Sequence, residues 1–380
     1  MSTGQPIFDA DAHVIEPEGM WAEYLAQAGE EYRVYADRAP VAPGGGIWVR
    51  VEDTWLPALW SDEVAERLRP LVMQATRPAA DGPYAAAAAR RFDVVSQVGA
   101  MDREGIEACV VYPTQGLYVT AIDGIDPAFA AALCRAYNRW VADFCAGSGG
   151  RVAGAAMVSL HDVEAAVAEA RYAVGALGLR AVQVRPNRHG GRNLGDPAYE
   201  PLWAAVAELG VPLAVHEGTG ARLPVTGADR FLGSILLQHA TSHPLEMMCA
   251  VASLICGGAL ERHPTLRVAF LEAGASWLPY WLWRLDEHVA WLGRGEAPGL
   301  RLRPSEYFRR QCFASIDCDE EPLAHTIAAM GDDCFVFASD YPHPDAKYPN
   351  AVATFMQLPG ISPASRSKIL HANAARLYGL

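Results

Sequence analysis

The feature that most limits what this chain can fold into is a repeated alternation. Eight short apolar segments are separated by stretches with helical patterning. The first opens the run Ile7–Pro17, and the others lie at 108–112, 152–160, 179–184, 211–215, 266–271, 312–316 and 334–338. Strands that are apolar along most of their length belong to a parallel sheet covered by helices. Eight of them in 380 residues predict a (β/α)8 TIM barrel rather than an open doubly wound sheet. No Gly-x-Gly-x-x-Gly follows any of them, which weakens a dinucleotide-binding reading. Residues 1–380 are therefore expected to form one barrel, with 17–92 as a long insertion after the first strand.

The insertion reads as a cap over a substrate or as surface decoration. It begins with a helix from Glu18 to Gln27 and continues with a hairpin, 47–51 and 54–57, across Glu52-Asp53. Residues 77–90 read as a mobile connection leading to a helix. Trp48, Trp55 and Trp60 are available to cover an apolar or aromatic substrate, with Trp55 the first candidate for substrate contact.

The remaining composition narrows the class. Hydrophobic residues make up 51% and charged residues 20%, as in a well-packed protein. A net charge of −13 speaks against nucleic acid or an anionic membrane as partner. No apolar run reaches membrane-spanning length, and the first residues lack the basic and apolar regions of a signal peptide. The eight cysteines are scattered, without a Cys-x-x-Cys pair, so buried thiols in a reducing compartment are expected and the cytoplasm is the default location. A small-molecule substrate is the expected partner.

A barrel of this type places its active site at the carboxyl ends of its strands. Ligand-type residues recur there: Asp11 and His13, then Arg185 and Asn187, His216 and Glu217, Glu272, and Asp340 followed by His343 and Asp345. In the first strand, residues two apart share a face, so Asp9, Asp11 and His13 are expected to project to one side. Buried carboxylates and imidazoles need partners or a metal, and mixed nitrogen and oxygen donors suit zinc or a similar divalent ion.

On these residues the chain resembles the amidohydrolase superfamily, in the branch typified by aminocarboxymuconate semialdehyde decarboxylase. The similarity is carried by Asp11-x-His13, His216 and Asp340, by the block from His263 to Asp286, and by the block from Phe337 to Asp345. The resemblance implies one catalytic metal held by Asp11, His13, His216 and Asp340, with zinc expected and manganese or iron as alternatives. Asp11 departs from the His or Glu usual at its position, and Asp9 competes for the role. No Lys follows the fourth strand in a carbamate position, which speaks against a bridged two-metal site. A second departure is Glu272, where many decarboxylating members carry a histidine. It reads as a general base, a further ligand or a partner that orients His216 or Arg284. His239 and His243, four apart on one helix, share a face and offer imidazoles nearby.

The expectation that follows is a mononuclear metal-dependent hydrolase acting through metal-activated water, with Asp340, Glu272 and His243 in proton transfer. Arg185 is expected to clamp a substrate carboxylate, and His343 to reach the pocket. The alternatives are a metal-dependent nonoxidative decarboxylase and a barrel without catalysis that serves as a binding subunit. Four tryptophans between Trp277 and Trp291 predict a core or subunit contact, and hence a homo-oligomer, a dimer in the simplest case.

Overall fold

The computed structural model describes residues 6–43, 47–58, 82–231 and 233–379. Trp60, the glycine run 44–46 and part of the expected 77–90 connection lie outside them. Eight parallel strands follow one another around a barrel: β1 (Phe8–His13), β4 (Ala108–Tyr112), β5 (Val152–Met157), β6 (Ala181–Val184), β7 (Leu213–His216), β8 (Val268–Leu271), β9 (Cys312–Ile316) and β10 (Phe335–Phe337). The expected hairpin is present as the antiparallel pair β2 (Val49–Val51) and β3 (Thr54–Leu56). Helices fill the intervals, among them Pro127–Ala146, Val163–Gly175, Glu200–Leu209, Ile235–Cys256 and Leu278–Glu296. Among the described residues, the helices that the sequence reading missed include Glu30–Arg33, Gly116–Val119 and Pro304–Gln311.

Alternation along each strand divides its side chains between two cores. One side packs against the helices, with Val111, Val182, Val215, Phe270 and Phe337. The other fills the barrel, and there alanine dominates: Ala10, Ala155, Ala181, Ala214 and Ala269, with Phe8, Phe313 and Val336. The C-terminal helix Asn373–Tyr378 closes one end of this interior. Tyr378 Oη donates to Ala10 O at 2.7 Å, and the hydroxyls of Tyr112 and Tyr378 are 2.8 Å apart, so the buried phenols satisfy one another.

β1 does not alternate cleanly. Its register against β4 shifts between Asp9 and Ala12, a bulge-type irregularity. Phe8 and Ala10 belong to the barrel interior, yet Asp11 and His13 also reach the site at its end. The expectation that Asp9, Asp11 and His13 form one polar face is thereby corrected. Asp9 instead accepts from the Ser339 backbone N–H at 3.1 Å and from its hydroxyl at 2.5 Å, and so fastens the segment after β10.

The barrel closes on that same segment. His13 N–H donates to Tyr341 O at 2.7 Å and Asp340 N–H donates to Asp11 O at 3.1 Å. The seam between first and last strands is thus held by backbone groups of residues that also carry site side chains. Among the described residues no helix is long and apolar enough to cross a membrane.

Candidate metal centre

Three strand ends bring four side chains to one point. His13 Nε2 lies 3.2 Å from His216 Nε2, 3.3 Å from Asp340 Oδ1 and 3.8 Å from Asp11 Oδ1. His216 Nε2 lies 3.5 Å from Asp11 Oδ1. Two donors each about 2.1 Å from a tetrahedral ion sit ~3.4 Å apart, so these separations are those of a ligand set.

Tautomers settle what the imidazoles offer. His13 Nδ1 faces Pro113 O at 3.0 Å, and His216 Nδ1 faces Glu217 O at 2.7 Å. A carbonyl oxygen only accepts, so each Nδ1 carries the proton and each Nε2 presents a lone pair. Two lone pairs aimed at each other across 3.2 Å repel unless a cation lies between them. Asp11 agrees: its Oδ1 is buried and lacks a hydrogen-bond partner. Asp11, His13 and His216 are at most 1% exposed. The residues present therefore fit a divalent metal, and the expected set of Asp11, His13, His216 and Asp340 is brought together.

Around these four, the remaining groups fall into a wall and a support. Glu272 Oε2 is 3.4 Å from His216 Nε2, and its Oε1 is 3.6 Å from His243 Nδ1. His243 Nδ1 also meets Glu272 O at 2.6 Å, which leaves its buried Nε2 without a partner. His343 lies between Asp340 Oδ1, 2.8 Å from its Nδ1, and Thr114 Oγ1, 2.9 Å from its Nε2, and its ring stacks on His13 with centroids 3.9 Å apart. Glu272 and Asp340 both adopt left-handed backbone conformations, φ 54° and 56°. Such strain in non-glycine residues costs about 1–3 kcal/mol and clusters at functional sites.

Electrostatics follows from this crowding. Burial, then the carboxylates of Asp340 and Asp11, push the Glu272 carboxyl well above its ordinary value. Burial also raises Asp340, against the pull of His343. Burial, then the neighbouring imidazoles of His343 and His216, hold His13 well below the usual histidine range. Burial alone would lower His343, but the Asp340 carboxylate outweighs it and the ring is held above its usual value.

The cavity beside the centre has a volume of about 360 Å³. Trp48 and Leu117 give it apolar surface, while Thr114, His343, Glu272 and His243 give it polar surface. The insertion contributes to its lining through Ile47, Trp48 and Pro57. Trp55 is not among the described residues that line the cavity.

Arg185 is also placed differently from expectation. It is only 4% exposed and donates to Asn187 Oδ1, Leu117 O, Glu217 Oε1 and Gly218 O. With its guanidinium committed to these acceptors, it braces the segment after β7 and does not face the cavity as a substrate clamp. Thr114, two residues beyond β4, was not singled out from sequence. Its position at a strand end was the only available signal.

The fold and centre define a metal-binding (β/α)8 barrel. A family profile described as amidohydrolase matches residues 8–380, and the chain belongs to that family. It is 28% identical over 297 residues to gamma-resorcylate decarboxylase of Rhodococcus jostii (strain RHA1), covering 74% of this chain and 85% of that protein. It is 27% identical over 260 residues to 2-amino-3-carboxymuconate-6-semialdehyde decarboxylase of Dictyostelium discoideum, covering 67% of this chain and 68% of that protein. Among solved structures, an amidohydrolase from Mycobacterium avium subsp. paratuberculosis K-10 superposes with a TM-score of 0.76 at 23% identity, over 99% of this chain and 98% of that one. A dihydroxybenzoic acid decarboxylase from Polaromonas sp. JS666, solved with manganese and 2-nitroresorcinol, gives 0.64 at 22% identity, over 85% and 95%. The chain is an enzyme of the amidohydrolase superfamily, and its curated relatives are decarboxylases.

Proposed function

We propose that this chain is a metal-dependent nonoxidative decarboxylase of a small aromatic carboxylate. The observation that carries the reading is its likeness to gamma-resorcylate decarboxylase over 74% of its length. The decarboxylase alternative thus displaces the hydrolase expected first. The cavity supports it, since about 360 Å³ lies near the lower end of the ~300–1,000 Å³ range of small-molecule sites.

A divalent ion on Asp11, His13, His216 and Asp340 would act as a Lewis acid toward substrate oxygens. Because Arg185 is committed elsewhere, that ion replaces it as the proposed anchor for a substrate carboxylate. Trp48, Ile47 and Leu117 offer apolar surface to an aromatic ring. The carbon–carbon bond to the carboxylate breaks, its electron pair stays on the ring carbon, carbon dioxide leaves and a proton replaces it. Glu272, with His243 beside it, is the proposed source of that proton, and Asp340, His343 and Thr114 form a second chain along which protons can be passed. Zinc remains a candidate ion, and manganese joins it on the Polaromonas structure.

The test incubates zinc- or manganese-loaded protein with a panel of hydroxybenzoates and, separately, with aryl esters and lactones. Carbon dioxide release with the matching phenol is expected. Hydrolysis of the second panel without carbon dioxide from the first would overturn the reading. A homodimer is proposed with it, through the outward face carrying Tyr280, Trp283 and Trp291, which are 57%, 57% and 75% exposed. A monomeric mass by light scattering would remove that part.

A further inference from the structure

The inner centre uses two histidines and two carboxylates, and the cavity wall carries a similar set. His239 and His243, one turn apart on helix Ile235–Cys256, stack with ring centroids 4.6 Å apart. One ligand atom each from His239, His243 and Glu272 lie within 4.8 Å of one another. His239 Nε2 is 3.9 Å from Asp345 Oδ2, and all four residues line the cavity. His243 supplies an independent sign of a missing partner. Its side chain is 6% exposed, its Nδ1–H is held by Glu272 O, and its Nε2 is buried with nothing to bond.

From this arrangement we infer that the wall holds a second divalent cation of the zinc, manganese or iron(II) class, on His239, His243 and Glu272, with Asp345 completing the set. Glu272 links the two centres. Its Oε2 lies 3.4 Å from His216 Nε2 and its Oε1 3.6 Å from His243 Nδ1, while the lone pair that His243 offers the wall ion is on Nε2. With the wall ion bound, Glu272 is a ligand and no longer carries the proton proposed for turnover, so filling the wall site is expected to slow that reaction.

Charge supports the assignment. Asp11, Asp340, Glu272 and Asp345 bring four carboxylates to one small region, while Arg185 is engaged by Glu217. One divalent ion leaves two of those negative charges to be met by protons. Two divalent ions balance all four. Concentrated like charge with little water is costly, so a second cation lowers the energy of the ionised wall. The ligand types, imidazole and carboxylate, are those that hold zinc, manganese and iron(II) and not the all-oxygen sets preferred by calcium.

The inference needs the inner centre but not the decarboxylase reading, because its readout is metal content. Full-length protein is stripped with a chelator, dialysed against excess manganese or zinc alone, and assayed by elemental analysis. The wild type is expected to bind two equivalents and His239→Ala one, with unchanged thermal unfolding of the stripped proteins because His239 is 47% exposed. Asp345→Asn, also at an exposed residue, should weaken the second equivalent about tenfold or more. Manganese-loaded wild type should give the magnetic resonance signature of two interacting ions, lost in His239→Ala. One equivalent in the saturated wild type would overturn the inference. So would two equivalents in both the wild type and His239→Ala.

Discussion

Two of the histidine pairs among the described residues are built in opposite ways. His13 and His216 come from different strands, meet edge to face with centroids 4.9 Å apart, and are fully buried. Each is locked by a backbone carbonyl that fixes its tautomer. His239 and His243 come from one helix turn and lie with their rings stacked, and His239 is half exposed. The first pair is rigid because sheet geometry sets both its members. The second owes its spacing only to helix periodicity, so its outer member can turn to meet what enters the cavity. A site of this kind separates a fixed seat from an adjustable wall.

That separation can be broken first at the inner pair. His216→Ala should abolish stoichiometric metal loading and all turnover, as elemental analysis and a carbon dioxide release assay would show. Loading retained at the inner centre would mean that His216 is not a ligand. The wall is tested next by Glu272→Gln, which should keep the inner metal while lowering kcat about 10²–10⁴-fold, the usual worth of a positioned acid or base. Loss of the inner metal in that variant would move Glu272 into the seat.

A smaller effect is expected at the roof. Trp48→Ala should raise KM for an aromatic substrate severalfold, corresponding to about 0.5–1.5 kcal/mol of lost ring contact, with inner metal content unchanged. An equal loss for aliphatic and aromatic substrates would count against aromatic recognition there.

The smallest effect concerns buried acids away from the metal ligands. Burial pushes Glu16 up to about 7 despite the N–H groups of Gly116 and Gln115 on its carboxylate, and pushes Asp317 up to about 7, helped by Glu320 and Asp319. A raised carboxyl binds its proton more tightly in the folded state, so stability falls as pH rises from the unfolded value toward the folded one. Buried histidines such as His189, lowered to about 3 by burial and His161, act oppositely, but only below their unfolded value of 6.5. Between pH 6.5 and 8 the metal-free protein should therefore lose stability, on the order of 1 kcal/mol per pH unit, in denaturant titrations. Metal-saturated protein should show a weaker loss or a gain, since its ligands favour the metal as protons become scarce.

How much of this could be read from sequence depended on whether a feature follows local periodicity. The eight strands were legible because each is a continuous apolar run, and Asp11, His13, His216 and Asp340 because each sits where such a run ends. The bulge in β1 was not, because it arises from pairing with β4, and it turned Asp9 from the site to Ser339. Arg185 looked like a substrate clamp since an arginine at a strand end is chemically suited to one. Its acceptors, Leu117 O and Gly218 O among them, come from distant segments that no spacing reveals. The left-handed backbone at Glu272 and Asp340 is equally a property of the assembled barrel.

The seam between β1 and the segment after β10 has one more implication. Asp9 and Ser339 are 330 residues apart in the chain, and their contact stands beside the only join between first and last strands among the described residues. Loop closure over that distance is among the slowest and most entropically opposed contacts a chain of this size makes. Because Asp11 and Asp340 sit across the same join, a complete metal seat exists only once it has formed. Metal uptake during refolding should then serve as a clock for the last step of barrel assembly, lagging behind the recovery of helical signal.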